Sequence, residues 1–427
     1  MKIEKIEALE ILDSNGNPTI ETTIELLDGT IESASIPSGA STGKNEVLEL
    51  RDGEKDRYRG KGVQKAVEIV NNNIAKLIKE KEFKSQKEFD NLLIEADGTP
   101  LKTKLGGNSI LSCSIVFCKV VAKSLGIEVF DYISMVYHEE NYDHNTKRSL
   151  KTPTPLILVL EGGKHGNWAT DIQEYMIIPN KEKFPNFKDS LRAGVDVYKA
   201  IEDILIRKGY SIGVGFEGSF APKELKSNRE AFEIIMEGIE LAGYTPKDDF
   251  NLAIDVASSE FYNENTGMYE LRREKKILNA EQWFGLQKEW YSLYPIISIE
   301  DPFEQDDWVM WSKFREEFNE RMIVGDDLLT TNVKRIKEGI EKKSANAVLV
   351  KPNQIGTVSE TLDAIRLADV NGLDSVISHR SGETVDSFIA DLAVGTPAKY
   401  CKFGGPTRGE RIAKYNRLLE IEKLLAK

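Results

Sequence analysis

The sequence has few of the residues on which several classes of protein depend. Its three cysteines, Cys113, Cys118 and Cys401, are odd in number and lack CxxC spacing. Neither a disulfide framework nor a zinc site is therefore expected, and we predict three buried thiols. Nowhere are 18 consecutive residues apolar, and the first residues contain no apolar signal segment. We therefore predict no membrane span and expect a cytoplasmic location.

Basic residues are also fewer than acidic residues. The chain has 57 Lys and Arg against 70 Asp and Glu, a formal net charge of −13. Binding to nucleic acid or to an anionic membrane requires clustered Lys and Arg, which no stretch of this chain supplies. We therefore predict that neither is a partner. Because the chain has 427 residues, two domains are expected rather than one.

The first third of the chain combines strand and helix patterns. Residues 3–11 and 18–36 are rich in apolar and β-branched residues and are interrupted by Asp28-Gly29, which indicates an antiparallel meander. Residues 62–80 and 108–125 have the apolar spacing of helices. This pattern predicts an α+β domain, followed by a polar linker-like stretch. We predict two domains, residues 1–138 and 139–427.

From residue 151 short apolar runs recur, each followed by a polar or charged residue and a helical segment. The residues after the last five runs are 23 to 28 positions apart, and a strand with its crossover helix and loops takes roughly 25 to 30 residues. Continuous apolar runs are typical of buried parallel strands. The pattern predicts an eight-stranded β/α barrel. The residues that follow the runs are Glu161, Asp255, Glu300, Asp326, Lys351, His379 and Lys402.

Three of these strand ends carry carboxylates: Asp255, Glu300 and Asp326. Any one of them alone is more typical of a helix cap or a solvated loop. In a barrel, however, the C-terminal strand ends meet at one mouth. Three carboxylates there repel one another unless a cation lies between them, and oxygen ligands of this kind suit Mg²⁺. We predict a magnesium site.

A base and an acid are predicted on opposite sides of this metal. Lys351 follows a buried strand, where burial and a nearby dication are expected to lower its pKa into the range of a general base. Glu217 lies in a glycine-rich loop, which can approach a ligand closely. Together they predict elimination of water across two carbons. For Lys351, a surface lysine is the simpler alternative.

Three further segments are candidates for anion binding or for a lid. Residues 37–43 (PSGASTG) can hold a phosphate or a metal through backbone N–H groups and hydroxyls, although a flexible turn explains them equally well. Arg380 offers a bidentate fork for phosphate, with the Ser381 hydroxyl beside it. Gly162-Gly-Lys-His165 has the composition of a glycine-hinged lid.

These segments together resemble the enolase family, and the likeness runs through nearly the whole chain. It is carried above all by SGASTG (38–43), DIQEY (171–175), SIEDP (298–302), VGDDL (324–328) and SHRSGET (378–384). The resemblance implies an N-terminal α+β cap and an enolase-type eight-stranded barrel whose second strand is antiparallel. It also implies reversible, magnesium-dependent conversion of 2-phosphoglycerate to phosphoenolpyruvate, two Mg²⁺ ions per site, and a homodimer or higher homo-oligomer.

The same resemblance implies roles for individual residues. It assigns abstraction of the C2 proton to Lys351, and loss of the C3 hydroxyl to Glu217 supported by Glu174 and Gln173. It assigns one Mg²⁺ to Asp255, Glu300 and Asp326 and the second Mg²⁺ to Ser41. The phosphate is assigned to Arg380 and Ser381, the substrate carboxylate to Lys402, and the pocket wall to His165 and the catalytic His379.

The chain also departs from the family pattern near the site, at Asn15, Glu161, Phe216, Ser219 and Phe403. Two alternatives therefore stay open. One is an enolase-like lyase for a related phospho- or phosphono-hydroxyacid, with Phe216, Phe403 and Trp168 around its pocket. The other is a binding protein that keeps the fold without catalysis.

Overall fold

The N-terminal part of the chain is an antiparallel sheet covered by helices. The computed structural model describes residues 1–39, 43–139 and 150–426. Strands β1 (Ile3–Leu12), β2 (Pro18–Leu26) and β3 (Ile31–Ser35) pair in the order β1-β2-β3. Gly29 takes a positive φ of 85° in the turn between β2 and β3, where a side chain would be strained. The predicted meander is confirmed.

Helices complete this part of the molecule. The longest, α4, carries Cys113 and Cys118 and packs against β2 and β3. All three cysteines are buried and unpaired by disulfide, which confirms that prediction. The helical segments are α1 (Gln64–Glu68), a π turn (Ile69–Ile74), α2 (Ala75–Ile78), α3 (Gln86–Asp97), α4 (Gly107–Ser124) and α5 (Val129–His138).

The rest of the chain forms a closed eight-stranded barrel in which one strand is antiparallel. The order is β10-β11-β12-β13-β14-β4-β5-β6, with β6 pairing back to β10. Strand β5 runs antiparallel to both of its neighbours, as expected from the family resemblance. The strands are β4 (Thr154–Glu161), β5 (Glu174–Pro179), β6 (Phe250–Asp255), β10 (Ile296–Glu300), β11 (Met322–Gly325), β12 (Ala347–Val350), β13 (Asp374–Ser378) and β14 (Tyr400–Lys402).

Helices surround the barrel, and a small hairpin sheet follows β6. Several helices begin at side-chain caps, such as Asn186, which accepts from the N–H of Asp189. The helices are α6 (Phe187–Lys208), α7 (Asn228–Leu241), α8 (Ala280–Leu293), α9 (Trp308–Glu317), α10 (Val333–Lys342), α11 (Pro352–Ile355), α12 (Val358–Val370), α13 (Phe388–Gly395) and α14 (Gly409–Leu425), and the hairpin strands are β7 (Tyr262–Asn263), β8 (Met268–Leu271) and β9 (Lys276–Leu278).

The barrel interior is a packed apolar core rather than a channel. It is filled by inward side chains of successive strands, among them Leu158, Met176 and Leu349. Because these side chains occupy the middle of the barrel, polar groups can converge only at its ends.

No single helix in the described ranges is long and apolar enough to cross a membrane. The helices α4 and α5 pass that test only as a pair, with a bend of 106° between them. The predicted polar linker, residues 138–151, lies mostly outside the described residues.

Candidate active site

The strand ends deliver the predicted side chains to one mouth of the barrel. Asp255, Glu300 and Lys402 are the last residues of β6, β10 and β14, and Lys351 directly follows β12. Glu300 is in register with Asp255. One pocket is lined by fifteen of the described polar and charged groups and by Ala257, including His165, Gln173, Glu174, Glu217, Asp255, Asp326, Lys351, His379, Arg380, Ser381 and Lys402. Ser41, predicted as a metal ligand, lies outside the described residues.

Lys402 lies at the centre of a group of buried carboxylates. Its Nζ is 2.7 Å from Glu300 Oε2, 3.1 Å from Glu174 Oε2 and 3.4 Å from Asp255 Oδ2. Burial acts to lower the pKa of Lys402, but the surrounding carboxylates raise it well above its usual range. The pKa of Glu300 is raised to about 8 by burial and by the charge of Asp255. The mouth is therefore crowded with negative charge.

Lys351 is bound to Asp326. Its Nζ donates to Asp326 Oδ2 at 2.5 Å, and Gln354 donates to the other oxygen at 2.7 Å. Burial acts to lower the pKa of Lys351, but the adjacent Asp326 carboxylate outweighs burial and raises it. This ion pair is a contact that sequence spacing alone does not reveal. The lowering expected beside a bound dication stays a prediction.

The acidic side chains are arranged differently from the set expected at the strand ends. In the described part of the chain, Asp301, Asp326 and Asp327 bring carboxylate oxygens within 4.8 Å of one another. Asp301 accepts the N–H groups of Asp326 and Asp327 at 3.0 and 2.9 Å. Asp255 and Glu300 contact Lys402 instead. Sequence reasoning missed Asp301 and Asp327, although each directly follows a predicted ligand.

This surplus of buried carboxylates fits a divalent cation. Burial and Asp326 raise the pKa of Asp327 to about 8, and burial and Asp327 raise that of Asp301 well above its usual range. Such shifts arise where carboxylates lack enough nearby positive charge. Oxygen donors in this number are the ligands that Mg²⁺ and similar hard cations prefer.

Opposite Lys351 the pocket presents Glu217 between two histidines. His165 Nδ1 lies 3.2 Å from Glu217 Oε1, and His379 Nε2 lies 3.3 Å from Glu217 Oε2. Burial lowers the pKa of His379 to about 3. Arg411 contacts His379 Nδ1 at 2.7 Å, and because a guanidinium can only donate, the ring carries its proton on Nε2, facing Glu217.

Glu174 and Gln173 extend this side of the pocket. Glu174 Oε1 lies 3.8 Å from His165 Nδ1, and Gln173 donates from Nε2 to Asp255 Oδ2 at 3.2 Å. Burial and the charge of Glu217 raise the pKa of Glu174 well above its usual range. Burial also acts to raise the pKa of Glu217, but His379 and His165 lower it well below its usual range. The two carboxyl groups therefore differ in their affinity for a proton.

Arg380 is held by a carboxylate from the N-terminal part of the chain. Its Nη1 donates to Glu46 Oε2 at 2.8 Å and to Asn353 Oδ1 at 3.2 Å. Burial acts to lower the pKa of Arg380, but Glu46 raises it. Glu46 also accepts the N–H of Gly43 at 3.0 Å. No pattern in the sequence points to Glu46, because its partner Arg380 lies 334 positions further along the chain.

A fully buried arginine, Arg411, supports the opposite edge of the site. It donates to the backbone oxygens of Arg380 at 2.6 Å, Ser381 at 2.9 Å and Phe216 at 2.9 Å. One side chain of α14 thereby joins the segment after β13 to the loop that carries Glu217. The helical periodicity of α14 predicts only that Arg411 is a charged residue on the buried face of the helix, and not which groups it contacts.

The unusual aromatic residues do not line the pocket. Phe403 is fully buried against Tyr415, and the Trp168 ring lies under the guanidinium of Arg272 at 3.8 Å. Phe216 is 43% exposed, with its ring 6.3 Å from that of His165. The interpretation that these three residues surround a modified pocket is therefore wrong for Phe403 and Trp168, because both rings have other packing partners.

Fold and site together define a barrel enzyme with a lysine, an acid pair and a concentration of buried carboxylates at one mouth. Family models agree with this class. The enolase N-terminal domain matches residues 3–133, and the enolase C-terminal TIM barrel domain matches residues 149–427. Enolase 1 of Chlorobaculum tepidum is 46% identical over 428 residues, covering 100% of this chain and 97% of that protein.

The chain belongs to the enolase family, and it is a carbon–oxygen hydro-lyase. Membership of this family implies a divalent metal and a small phosphorylated substrate.

Proposed function

We propose that the protein interconverts 2-phosphoglycerate and phosphoenolpyruvate with the help of Mg²⁺, in glycolysis and gluconeogenesis. The observation that carries this proposal is the pairing, across one pocket, of Lys351 with the Glu174 and Glu217 pair. A base and an acid on opposite sides of a bound substrate are the groups that elimination of water requires. Arg380 and Lys402 supply positive charge at the same mouth for an anionic substrate.

Lys351 is the proposed base. In its neutral form its Nζ takes the proton from C2, and the electron pair left behind forms the C2–C3 double bond as the C3–O bond breaks. The C2 proton is reluctant to leave because it lies next to a carboxylate, whose negative charge grows as the proton departs. Asp326, 2.5 Å from Nζ, keeps the amine directed into the pocket and stabilises the ammonium that forms.

Glu217, supported by Glu174 and Gln173, is the proposed acid. In its protonated form Glu217 passes a proton to the C3 hydroxyl, which leaves as water. His165 and His379 approach Glu217 from two sides and hold its carboxyl in place. The Nε2 proton of His379, fixed by Arg411, offers Glu217 a favourable neighbour after it has given up its own proton.

Anion recognition is proposed for the remaining side chains. Arg380 and Ser381 bind the phosphate, with Glu46 fixing the guanidinium plane. Lys402 binds the substrate carboxylate, and Gln173 lines the pocket beside Asp255. Two Mg²⁺ ions, one held by Asp255, Glu300 and Asp326 and the second with the help of Ser41, would counter the negative charge that develops on that carboxylate.

We also propose the organisation of the whole molecule. Residues 1–138 form the cap domain and residues 139–427 the catalytic barrel domain, a division supported by the two matched ranges. The protein is a cytoplasmic homodimer or higher homo-oligomer that binds neither nucleic acid nor membrane. The net charge of −13 supports the last part of this proposal.

A coupled assay with 2-phosphoglycerate and Mg²⁺ tests the proposed reaction. We expect turnover well above about 1 s⁻¹, the low end of usual enzyme rates. Slower turnover, together with faster conversion of a related phospho- or phosphono-hydroxyacid, would favour the alternative lyase. No conversion of any such acid would favour a binding protein.

Metal dependence is tested by calorimetry as well as by activity. Chelation should abolish turnover, and added Mg²⁺ should restore it. Asp326→Asn should weaken Mg²⁺ binding by about 10- to 100-fold, because the metal loses a charged ligand. The exposed Asp248→Asn serves as the matched control. An unaltered Mg²⁺ affinity in Asp326→Asn would remove this residue from the ligand set.

A further inference from the structure

A second carboxyl group is buried directly behind the loop that carries Glu217. Glu161, the last residue of β4, is 1% exposed. Its Oε1 accepts the N–H of Ser219 at 3.0 Å and the Ser219 hydroxyl at 3.2 Å, and its Oε2 accepts the N–H of Glu217 at 3.3 Å. Glu161 thus contacts the backbone of the proposed acid rather than its carboxylate. Both Glu161 and Ser219 are positions at which the chain departs from the family pattern.

The loop is closed tightly around this carboxyl group. A Cβ atom at Gly215 would lie 2.3 Å from the Glu161 carboxyl carbon, so no other residue fits there without a shift. Within the loop, the N–H of Gly215 donates to the carbonyl of Ser219 at 3.0 Å. The Glu161 side chain therefore fills the inside of the 215–219 loop and sets its distance from the barrel wall.

The charge around Glu161 favours its neutral form. Burial and the negative charge of Glu217 raise the pKa of Glu161 to about 8, although the N–H groups of the loop and Arg411 oppose this rise. Two ionised carboxylates so close in a buried site would repel strongly. The titratable and charged groups that face Glu161 are Glu217 from the loop, Arg411 from α14, Tyr198 from α6, and Glu174, which is its partner in the register of β4 with β5.

We propose that Glu161 is a positioning residue for the reaction: its carboxyl group accepts the N–H groups of Glu217 and Ser219 and holds the 215–219 loop so that Glu217 meets the C3 hydroxyl of the substrate. This inference rests on the proposed function. Ionisation of Glu161 adds a negative charge beside the Glu174 and Glu217 pair. The pair then binds its proton more tightly and donates it more slowly.

Three variants test this role through kcat, KM and their pH profiles between pH 6 and 9.5. Glu161→Ala should lower kcat about 100-fold, the cost of misplacing a reacting group by about 1 Å, with little change in KM. Glu161→Gln keeps the shape of the neutral acid and should restore most of kcat. In the unaltered protein we expect kcat to fall above about pH 8, where Glu161 ionises, and this fall should be absent in Glu161→Gln. Glu224→Gln, whose carboxylate contacts Ser211 outside the pocket, is the matched control.

A readout independent of turnover is the dependence of stability on pH. The Glu161 pKa is about 8 in the folded protein and 4.5 as a free side chain, so the folded state binds the proton more tightly. The stabilisation is full below the lower value and is lost as pH rises towards about 8. The Tm of the unaltered protein minus that of Glu161→Gln should therefore fall over this interval. Amide exchange at Glu217 and Ser219 should quicken in Glu161→Ala.

The outcomes separate the two proposals. Glu161→Ala with unaltered kcat, or Glu161→Gln that retains the decline near pH 8, overturns the positioning role. If the unaltered protein does not turn over 2-phosphoglycerate, the proposed function fails by itself. Amide exchange and the pH dependence of Tm then decide the role of Glu161, and unchanged values in both measurements overturn it.

Discussion

The two sides of the pocket are built differently. On the base side, Lys351 contacts Asp326, which follows the neighbouring strand β11, and Lys402 contacts Glu300 at the end of β10, a strand that is not its neighbour in the barrel. On the acid side, Glu217 and His165 come from loops. Within the described residues, the Nε2 atom of His165 is buried without a hydrogen-bond partner.

The two sides therefore differ in how many of their polar contacts are formed before the substrate binds. Ion pairs at strand ends are satisfied before any substrate binds, so the base side is rigid in advance. Buried polar atoms without partners are costly, and they are retained in proteins mainly where a ligand or reaction needs them. We infer that the acid side acquires its final hydrogen bonds from the substrate.

Removing the base should have the largest effect. In Lys351→Ala we expect the exchange of the C2 proton with solvent to fall by about 10⁴-fold, the upper range for loss of a general base. Exchange is measured by NMR in deuterium oxide, and Mg²⁺ binding should persist. The exposed Lys337→Ala, on the helix before β12, is the matched control. Exchange at the unaltered rate would remove lysine from the mechanism.

Replacing the proposed acid should separate dehydration, which needs the acid side, from C2 proton exchange, which needs the base side. In Glu217→Gln we expect kcat for dehydration to fall by about 10³-fold, because an amide cannot donate the required proton. Exchange at C2 should continue, since Lys351 and Asp326 are untouched. Loss of exchange together with dehydration would show that the two sides do not act independently.

Breaking a buried ion pair behind the site should affect stability. Lys414 donates to Glu383 Oε2 at 2.6 Å and to the carbonyl of Thr384 at 2.5 Å, and both side chains are buried. Lys414→Met leaves the Glu383 carboxylate unpaired, so the free energy of unfolding should fall by about 3 to 5 kcal/mol. Denaturant titration measures the change. The exposed Lys423→Met should leave stability nearly unaltered.

The smallest effect is expected at the surface of the acid side. Trp168 lies under Arg272 at 3.8 Å, next to the loop that carries His165. Trp168→Ala should lower stability by about 0.5 to 1 kcal/mol, the usual value of an exposed cation–π contact. Because the pocket is not lined by Trp168, KM should stay nearly constant. A large rise in KM would mean that this ring reaches the substrate.

Sequence reasoning predicted most of the barrel because strand ends recur at regular intervals. The regular spacing of the buried apolar runs predicted the strand ends at which Asp255, Glu300, Lys351 and Lys402 lie. The antiparallel β5 followed from the family resemblance and not from the periodicity. Residues that contact the site from distant positions in the chain could not be predicted from this regular spacing.

Glu46 and Arg411 illustrate that limit. Glu46 reaches Arg380 from the N-terminal part, and Arg411 reaches three backbone oxygens from the last helix. Neither partner can be read from spacing, since tertiary packing alone brings them together. The raised pKa of Lys351 is a further example, because it depends on Asp326, whose distance from Lys351 the sequence does not give.

The last helix has a consequence for the order in which the protein is made. Arg411 and Lys414 in α14 bind the segments around residues 380–384 and the Glu217 loop. During synthesis the chain leaves the ribosome from its N-terminus. The catalytic centre can therefore be completed only after α14 has been synthesised, and a nascent chain released before residue 409 would carry the reacting groups without the two basic side chains that align them.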